Sequence, residues 1–224
     1  MEKSDSMELL RHDIKHVPRL IAGLLLLGLG IHTIRLSSFG LPPWAVLHDG
    51  IEQSLQVPFG YNTLIVGVIV LVFSIIVFRT KVGIATILNV LLVGPFIELL
   101  RLIVDEIHHT LFRDIVVFLL GFICMTFGRA LYISSNLGQG PRDGLFIGIA
   151  RTTPIPVKYV KLGVEFIVLL LGYLMGGDVF IGTAIVVVAS GYMIQGYFAI
   201  LGYNPKEHHN HSIVDYMRPK KESS

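Results

Sequence analysis

Charge and cysteine are what this sequence has least of. Only 15% of its 224 residues are charged, against about 25% in an ordinary soluble domain. The single cysteine, Cys124, sits inside an apolar run, which excludes an intrachain disulfide and argues against a cysteine-built metal centre. A formal net charge of +2 is too small to point to nucleic acid as a partner. The chain also offers no nucleophile–base pair, no metal-ligand set and no nucleotide-binding loop, so neither an enzyme nor a bound cofactor or metal is expected.

What it has in excess is apolar length. The composition is 53% hydrophobic with a mean hydropathy of +0.69, and the excess comes in blocks near the roughly twenty residues that cross a hydrocarbon core. Long runs fall at about 18–36, 61–78, 83–103, 114–134, 157–175 and 178–201. Two shorter segments, about 42–54 and 141–151, are too short to cross, as re-entrant or interfacial helices are. No small-residue cleavage site closes the first run, so it reads as a retained span and not as a secretory signal.

Basic residues set the expected orientation. Lys3, Arg11, Lys15 and Arg19 precede the first span, Arg79 and Lys81 follow the second, Arg142, Arg151, Lys158 and Lys161 follow the fourth, and Lys206, Arg218, Lys220 and Lys221 lie in the tail. The opposite side carries only Arg35, Arg101 and Arg113, offset in part by Asp105, Glu106 and Asp114. Six spans with both termini cytoplasmic satisfy every loop. The expected organisation is a cytoplasmic arm over 1–17, one membrane repeat over 18–103, a second over 114–203, and a cytoplasmic tail over 204–224. On the arm, Met7, Leu10, Ile14 and Val17 share one face of a helix suited to the membrane surface.

The chain repeats itself at an offset of 98. Between Ile21 and Leu71, fifteen of fifty-one positions are identical to the residue 98 further on. Matches of Leu, Ile and Val are cheap in such a sequence. Gly23/Gly121, Gly30/Gly128, Ser37/Ser135, Gly40/Gly138, Pro43/Pro141, Gly50/Gly148, Pro58/Pro156 and Tyr61/Tyr159 are not. The offset later drifts by one, pairing Gly83 with Gly182, Gly94 with Gly191 and Glu98 with Gln195. Each half holds three spans, an odd number, so the second half enters the membrane from the other side. The fold class expected is therefore all-α and polytopic: six transmembrane helices as two inverted three-helix repeats, each with a short non-spanning helix. That is the plan of many secondary transporters, whose sites lie between the repeats.

The candidate site follows from where charge survives. Pro141 suits the first turn of a short helix, with Gly138 and Gly140 allowing a tight approach and Arg142, Asp143 and Gly144 at its start. Such an end favours a carboxylate or phosphate; alternatively, Asp143 merely neutralises the helix end while Arg142 reaches the cytoplasm. Glu165 lies near the middle of the fifth span, where a charge is costly. It is either one half of an ion pair, with Arg142 or else Arg129 as partner, or a carboxylate coupled to protons or substrate. Glu98 and Gln195 stand as candidate markers of the two mouths of a pathway, although Glu98 can also pair with Arg101 on its own helix. His32 and His48 read as hydrogen-bonded filler, and the "EHHNH" run as a solvated tail.

The stretch "GPRDGLFIGIARTTPIPVKYVKLGVEFIVLLLGYLMGGDVFIGT" resembles the second-half signature of the YczE/YyaS/YitT group of bacterial integral membrane proteins. "GLPPWAVLHDGI" is similar to its first-half counterpart, with Pro42 where a glycine is usual and Ala45 where an aspartate is usual. The resemblance covers about 18–203 and is nearest the YczE-like branch. It implies a multi-pass protein of the bacterial cytoplasmic membrane and brings no established substrate. It marks Gly140, Pro141, Arg142, Asp143, Gly144 and Glu165 as the positions to watch. The expected function is a small secondary transporter or permease for an unknown small molecule or ion, bound between the repeats beside Pro141. A non-transporting membrane protein that supports or regulates a partner, with structural charges, is the alternative. Six spans are few for a transport path, so a homodimer is an arrangement to look for; the lipid bilayer and an unknown small molecule or ion are the other expected partners, and nucleic acid is not one.

Overall fold

The computed structural model describes residues 13–104 and 108–204. Most of the arm and tail, including Met7, Leu10 and the "EHHNH" run, and the turn residues Asp105 and Glu106, lie outside them. The described chain is all-helical: α1 (Val17–Arg35), α2 (Pro43–Leu55), α3 (Phe59–Phe78), α4 (Ile84–Ile103), α5 (Leu111–Ile133), α6 (Pro141–Thr152), α7 (Val157–Leu174) and α8 (Ile181–Ile200). Every segment expected from the apolar runs, long or short, is a helix within a few residues of its expected bounds.

Proline sets several of the starts. Pro43 and Pro141 open α2 and α6, where the missing N–H is lost to no hydrogen bond, and Pro58 and Pro156 sit just ahead of α3 and α7. These starts recur 98 residues apart, as the sequence identities do. Five helices, α1, α3, α4, α5 and α8, are long and apolar enough to cross a membrane. Although α7 is 18 residues long, it carries Lys158, Lys161 and Glu165. At 13 and 12 residues, α2 and α6 reach only about 20 Å, short of a hydrocarbon core of about 30 Å.

The centre of the molecule is the crossing of α1 and α5, which is antiparallel and made by glycine. A Cβ on Gly23 would lie 2.9 Å from the Gly128 carbonyl oxygen, and one on Gly121 2.9 Å from that of Gly30. Such contacts leave no room for a side chain, so the backbones touch directly, as small-residue crossings allow in lipid. At the same crossing the Cys124 thiol donates to the Leu26 carbonyl at 3.3 Å, a contact between residues 98 apart. Leu20, Leu24, Ile34, Phe118, Phe122 and Met125 fill the core around it. Much of the remaining packing comes in matched pairs: α1 lies on α4 as α5 lies on α8, and α2 lies on α7 as α6 lies on α3. This arrangement brings the first turns of the two short helices together.

Candidate functional site

At that meeting point Arg142, in the first turn of α6, turns inward. Its guanidinium carbon lies 4.5 Å from the centre of the Trp44 ring in the first turn of α2, close enough for a cation–π contact. Its Nη2 lies 2.9 Å from His48 Nε2. A guanidinium can only donate, so His48 accepts at Nε2, and its proton sits on Nδ1. His48 is 2% exposed and Trp44 6%. Neither the His48 Nδ1 nor the Trp44 Nε1 has a hydrogen-bond partner among the described residues. Among those residues no carboxylate lies within ion-pair distance of Arg142.

Asp143, the next residue, is fully engaged. It accepts from Arg129 Nη2 at 2.9 Å and from the Tyr132 hydroxyl at 3.2 Å, both on the last turns of α5. Two adjoining hollows, of about 690 and 650 Å³ of open space, flank these groups and share Trp44, Arg129, Arg142 and Glu165 in their walls. Gly140, Pro141 and Asp143 line one of them. Leu27, Ile31, Met125, Val186 and Val187 give the other an apolar wall. The chemistry on offer is a cluster of donors with too few acceptors, set in apolar surroundings at the N-termini of two short helices. Spare donors at helix N-termini favour an acceptor-rich, anionic neighbour on general grounds.

Most of the expected site residues are thus together: Gly140, Pro141, Arg142, Asp143, Glu165 and Arg129. Gly144 is not in the wall; a Cβ there would meet only Thr80, at 4.0 Å. Glu98 is remote, pairing with Arg101 at 3.5 Å and accepting from the Gly60 N–H at 3.1 Å. Gln195 is exposed on α8.

The expected partner of Glu165 needs correcting. Its nearest cation is Lys161, one turn earlier on α7 at 3.8 Å, because Arg129 is held by Asp143 and Arg142 faces α2. His48 is hydrogen-bonded, as expected, and its partner is Arg142. Trp44, His48 and Tyr132 were missed by sequence reasoning, although the offset held a signal: Trp44 and Arg142 are 98 apart. A second cluster also went unread. Glu52 on α2 accepts from Arg35 at 2.6 Å and from Arg101 at 2.8 Å, which ties α1, α2 and α4 together beside Glu98.

Residues 14–198 match a family of unknown function, DUF6198. The chain belongs to this family. An uncharacterized protein of Haemophilus influenzae is 32% identical over 192 residues, 85% of this chain and 87% of its own. The uncharacterized membrane protein YczE of Bacillus subtilis is 31% identical over 175 residues, 78% of this chain and 81% of its own. YyaS of the same organism is 23% identical over 181 residues, 80% of this chain and 90% of its own. No solved structure matches the chain. Within this family, then, the chain has the helices of a polytopic membrane protein.

Proposed function

We propose that this protein is a small secondary transporter or permease of the bacterial cytoplasmic membrane, with both termini cytoplasmic, and that it moves an anionic solute. Its site is the cavity where the first turns of α2 and α6 meet. The observation that carries this reading is Arg142: among the described residues it has no carboxylate within ion-pair distance, it is stacked on Trp44, and it lies beside two donor groups without a hydrogen-bond partner. Buried donors are paired as a rule, so a site with several spare ones calls for an acceptor-rich occupant. Glu165, in the same wall, serves as the coupling carboxylate.

The architecture we propose is six spans in two inverted repeats. Support comes from the antiparallel α1–α5 crossing and from two pairs of residues 98 apart that touch, Leu26 with Cys124 and Trp44 with Arg142. Equivalent residues meet only near the axis that exchanges them, and an axis perpendicular to antiparallel spans lies in the membrane plane. The Glu52 cluster closes the outer end. The positions 98 beyond Arg35, Glu52 and Arg101 are Ile133, Ala150 and Ala199, which carry no charge. Among the described residues the inner end has no matching three-residue lock, as one state of an alternating-access cycle requires. YczE carries the name of a membrane protein, which agrees with this location.

A second reading has its own observation. The Arg129–Asp143–Tyr132 set is self-satisfied, as structural glue would be. A thermal-shift screen of the purified protein against carboxylates, phosphates and amino acids separates the two. A solute at a hundred times its Kd adds about 2.7 kcal/mol to a reversible unfolding equilibrium. Stabilisation that Arg142→Ala abolishes supports transport of an anion. No stabilisation by any solute, with Arg142→Ala merely less stable, would leave the structural reading.

A further inference from the structure

One matched pair of helix contacts is broken. In the first half α3 packs along α4. Gly60 meets Gly94 there, and a Cβ on Gly67 would sit 3.5 Å from Val90. The corresponding pair in the second half, α7 and α8, makes no comparable packing among the described residues. Lys158 stands at the position of Gly60 and Glu165 at that of Gly67. Gly191, the counterpart of Gly94, is exposed and has no atom within 4 Å of where a Cβ would be. The anion cavity borders this gap: Glu165 of α7 and Val186, Val187, Ser190 and Ile194 of α8 are among its walls.

Along α7 lies a further, open apolar hollow, walled by Phe166, Leu169, Leu170 and Tyr173 of α7 and by Val179 of the turn that leads to α8. The spacing 166, 169, 170, 173 is a single helical stripe. Phe166 and Tyr173 are 63% and 61% exposed, and on α8 Val188 and Tyr192 are 68% and 76% exposed. The outside of this gap therefore faces hydrocarbon in any spanning arrangement, while its inside faces Arg142 and Glu165.

Building on the transport reading above, we propose that the substrate is an amphiphile with one alkyl chain and an anionic headgroup, taken from the bilayer between α7 and α8. The headgroup docks on Arg142 and the Trp44 N–H, and the chain lies along the Phe166–Tyr173 stripe. An occupant of this kind meets both demands of the gap. A second copy of the chain would cover the apolar stripe with another apolar face, and the spare donors would stay empty. A wholly polar anion would satisfy the donors and leave the Lys161–Glu165 wall open to hydrocarbon, which is costly at that depth.

Trp44 is the sole tryptophan, so intrinsic fluorescence reports the site directly. The test titrates the full chain in phosphatidylcholine nanodiscs with butanoate, octanoate, dodecanoate and inorganic phosphate, and repeats it with Arg142→Ala and Gly191→Phe. The expected result is saturable binding that tightens by about fourfold per methylene and is lost in Arg142→Ala. In Gly191→Phe, dodecanoate should weaken by about fifteenfold, the worth of roughly two methylenes, while butanoate does not change. Gly191 has open space around it, so this substitution leaves folding intact.

Equal affinity for phosphate, butanoate and dodecanoate would overturn the amphiphile and leave the anion transporter standing. Chain-length dependence that Gly191→Phe does not alter would overturn the route between α7 and α8. Native mass spectrometry showing a dimer split by Gly191→Phe, with no response to chain length, would assign the gap to a second copy instead. Silence from every probe would overturn the anion site itself, and this inference with it.

Discussion

Trp44 and Arg142 stand 98 residues apart in a chain that repeats at 98, and they touch: the guanidinium carbon lies 4.5 Å from the indole centre. At this spacing the chain places a donor-bearing aromatic and a cation that face one another. A desolvated cation–π contact is worth about 2 kcal/mol, enough to hold Arg142 in the cavity instead of extended toward water.

The indole N–H separates a binding role from a structural one. It has no partner among the described residues, so Trp44→Phe removes an unsatisfied buried donor and keeps a ring beneath Arg142. The unliganded protein should not lose a hydrogen bond, and its Tm should hold. Anion binding should weaken by about 1–3 kcal/mol, the worth of a hydrogen bond to a charged group. Paired thermal-shift curves with and without anion measure both. A lower Tm with unchanged anion response would make Trp44 a packing residue only.

Gly30 and Gly121 set the spacing of α1 and α5, since a Cβ on Gly121 would lie 2.9 Å from the Gly30 carbonyl. Gly121→Ala must push the two helices apart, at an overpacking cost of about 1–3 kcal/mol. Gly163, on α7, has no neighbour within 4 Å, and Gly163→Ala should be neutral or slightly stabilising, as a glycine-to-alanine change in a helix interior is. Chemical or thermal unfolding of both variants checks the contrast; equal effects would mean the crossing is not where the stability lies.

Helix positions were legible because apolar length and proline placement act locally. Pro43 and Pro141 opened their helices where the sequence put them. The choice of partners was not legible. Glu165 could reach a cation on α5, α6 or its own helix, and the sequence does not rank them. The outcome followed from geometry: Asp143, at the start of α6, meets Arg129 at the end of α5, which leaves Lys161 for Glu165. His48 and Glu52 were hidden for the same reason. Their partners Arg142, Arg35 and Arg101 come from other helices, and only the folded arrangement of α1, α2, α4 and α6 joins them.

Glu52 predicts a conformational effect. It is the shared acceptor for Arg35 and Arg101, at 2.6 and 2.8 Å, with 16% of its side chain exposed. Glu52→Gln keeps its shape and removes the charge that gathers the ends of α1, α2 and α4. The outer end should loosen, and a cysteine placed at Leu41, which is 2% exposed, in a Cys124→Ser background should react faster with a membrane-impermeant maleimide. Glu98→Gln, whose carboxylate contacts only α3 and α4 in the same cluster, should change that rate less. Identical rates in all three backgrounds would mean the cluster holds no gate.

Asp178, in the turn between α7 and α8, gives a pH dependence with a definite sign. Burial and the facing Asp49 carboxylate push its carboxyl above the ordinary value. The ionised form is the one the fold disfavours. Stability is therefore lost as pH rises through the raised value and recovered as pH falls below about 3.9, the ordinary aspartate value. The backbone N–H of residue 178 donates to Asp49 Oδ2 at 3.0 Å, and Asp178→Asn retains it. This variant should melt higher than the parent at pH 7 and together with it near pH 3. Because the side chain is only partly withdrawn from water, the gain is small, and its pH dependence carries the argument. A gain of equal size at both pH values would place its origin in the turn. A loss at pH 7 would mean that the Asp178 carboxylate has a cationic partner it needs.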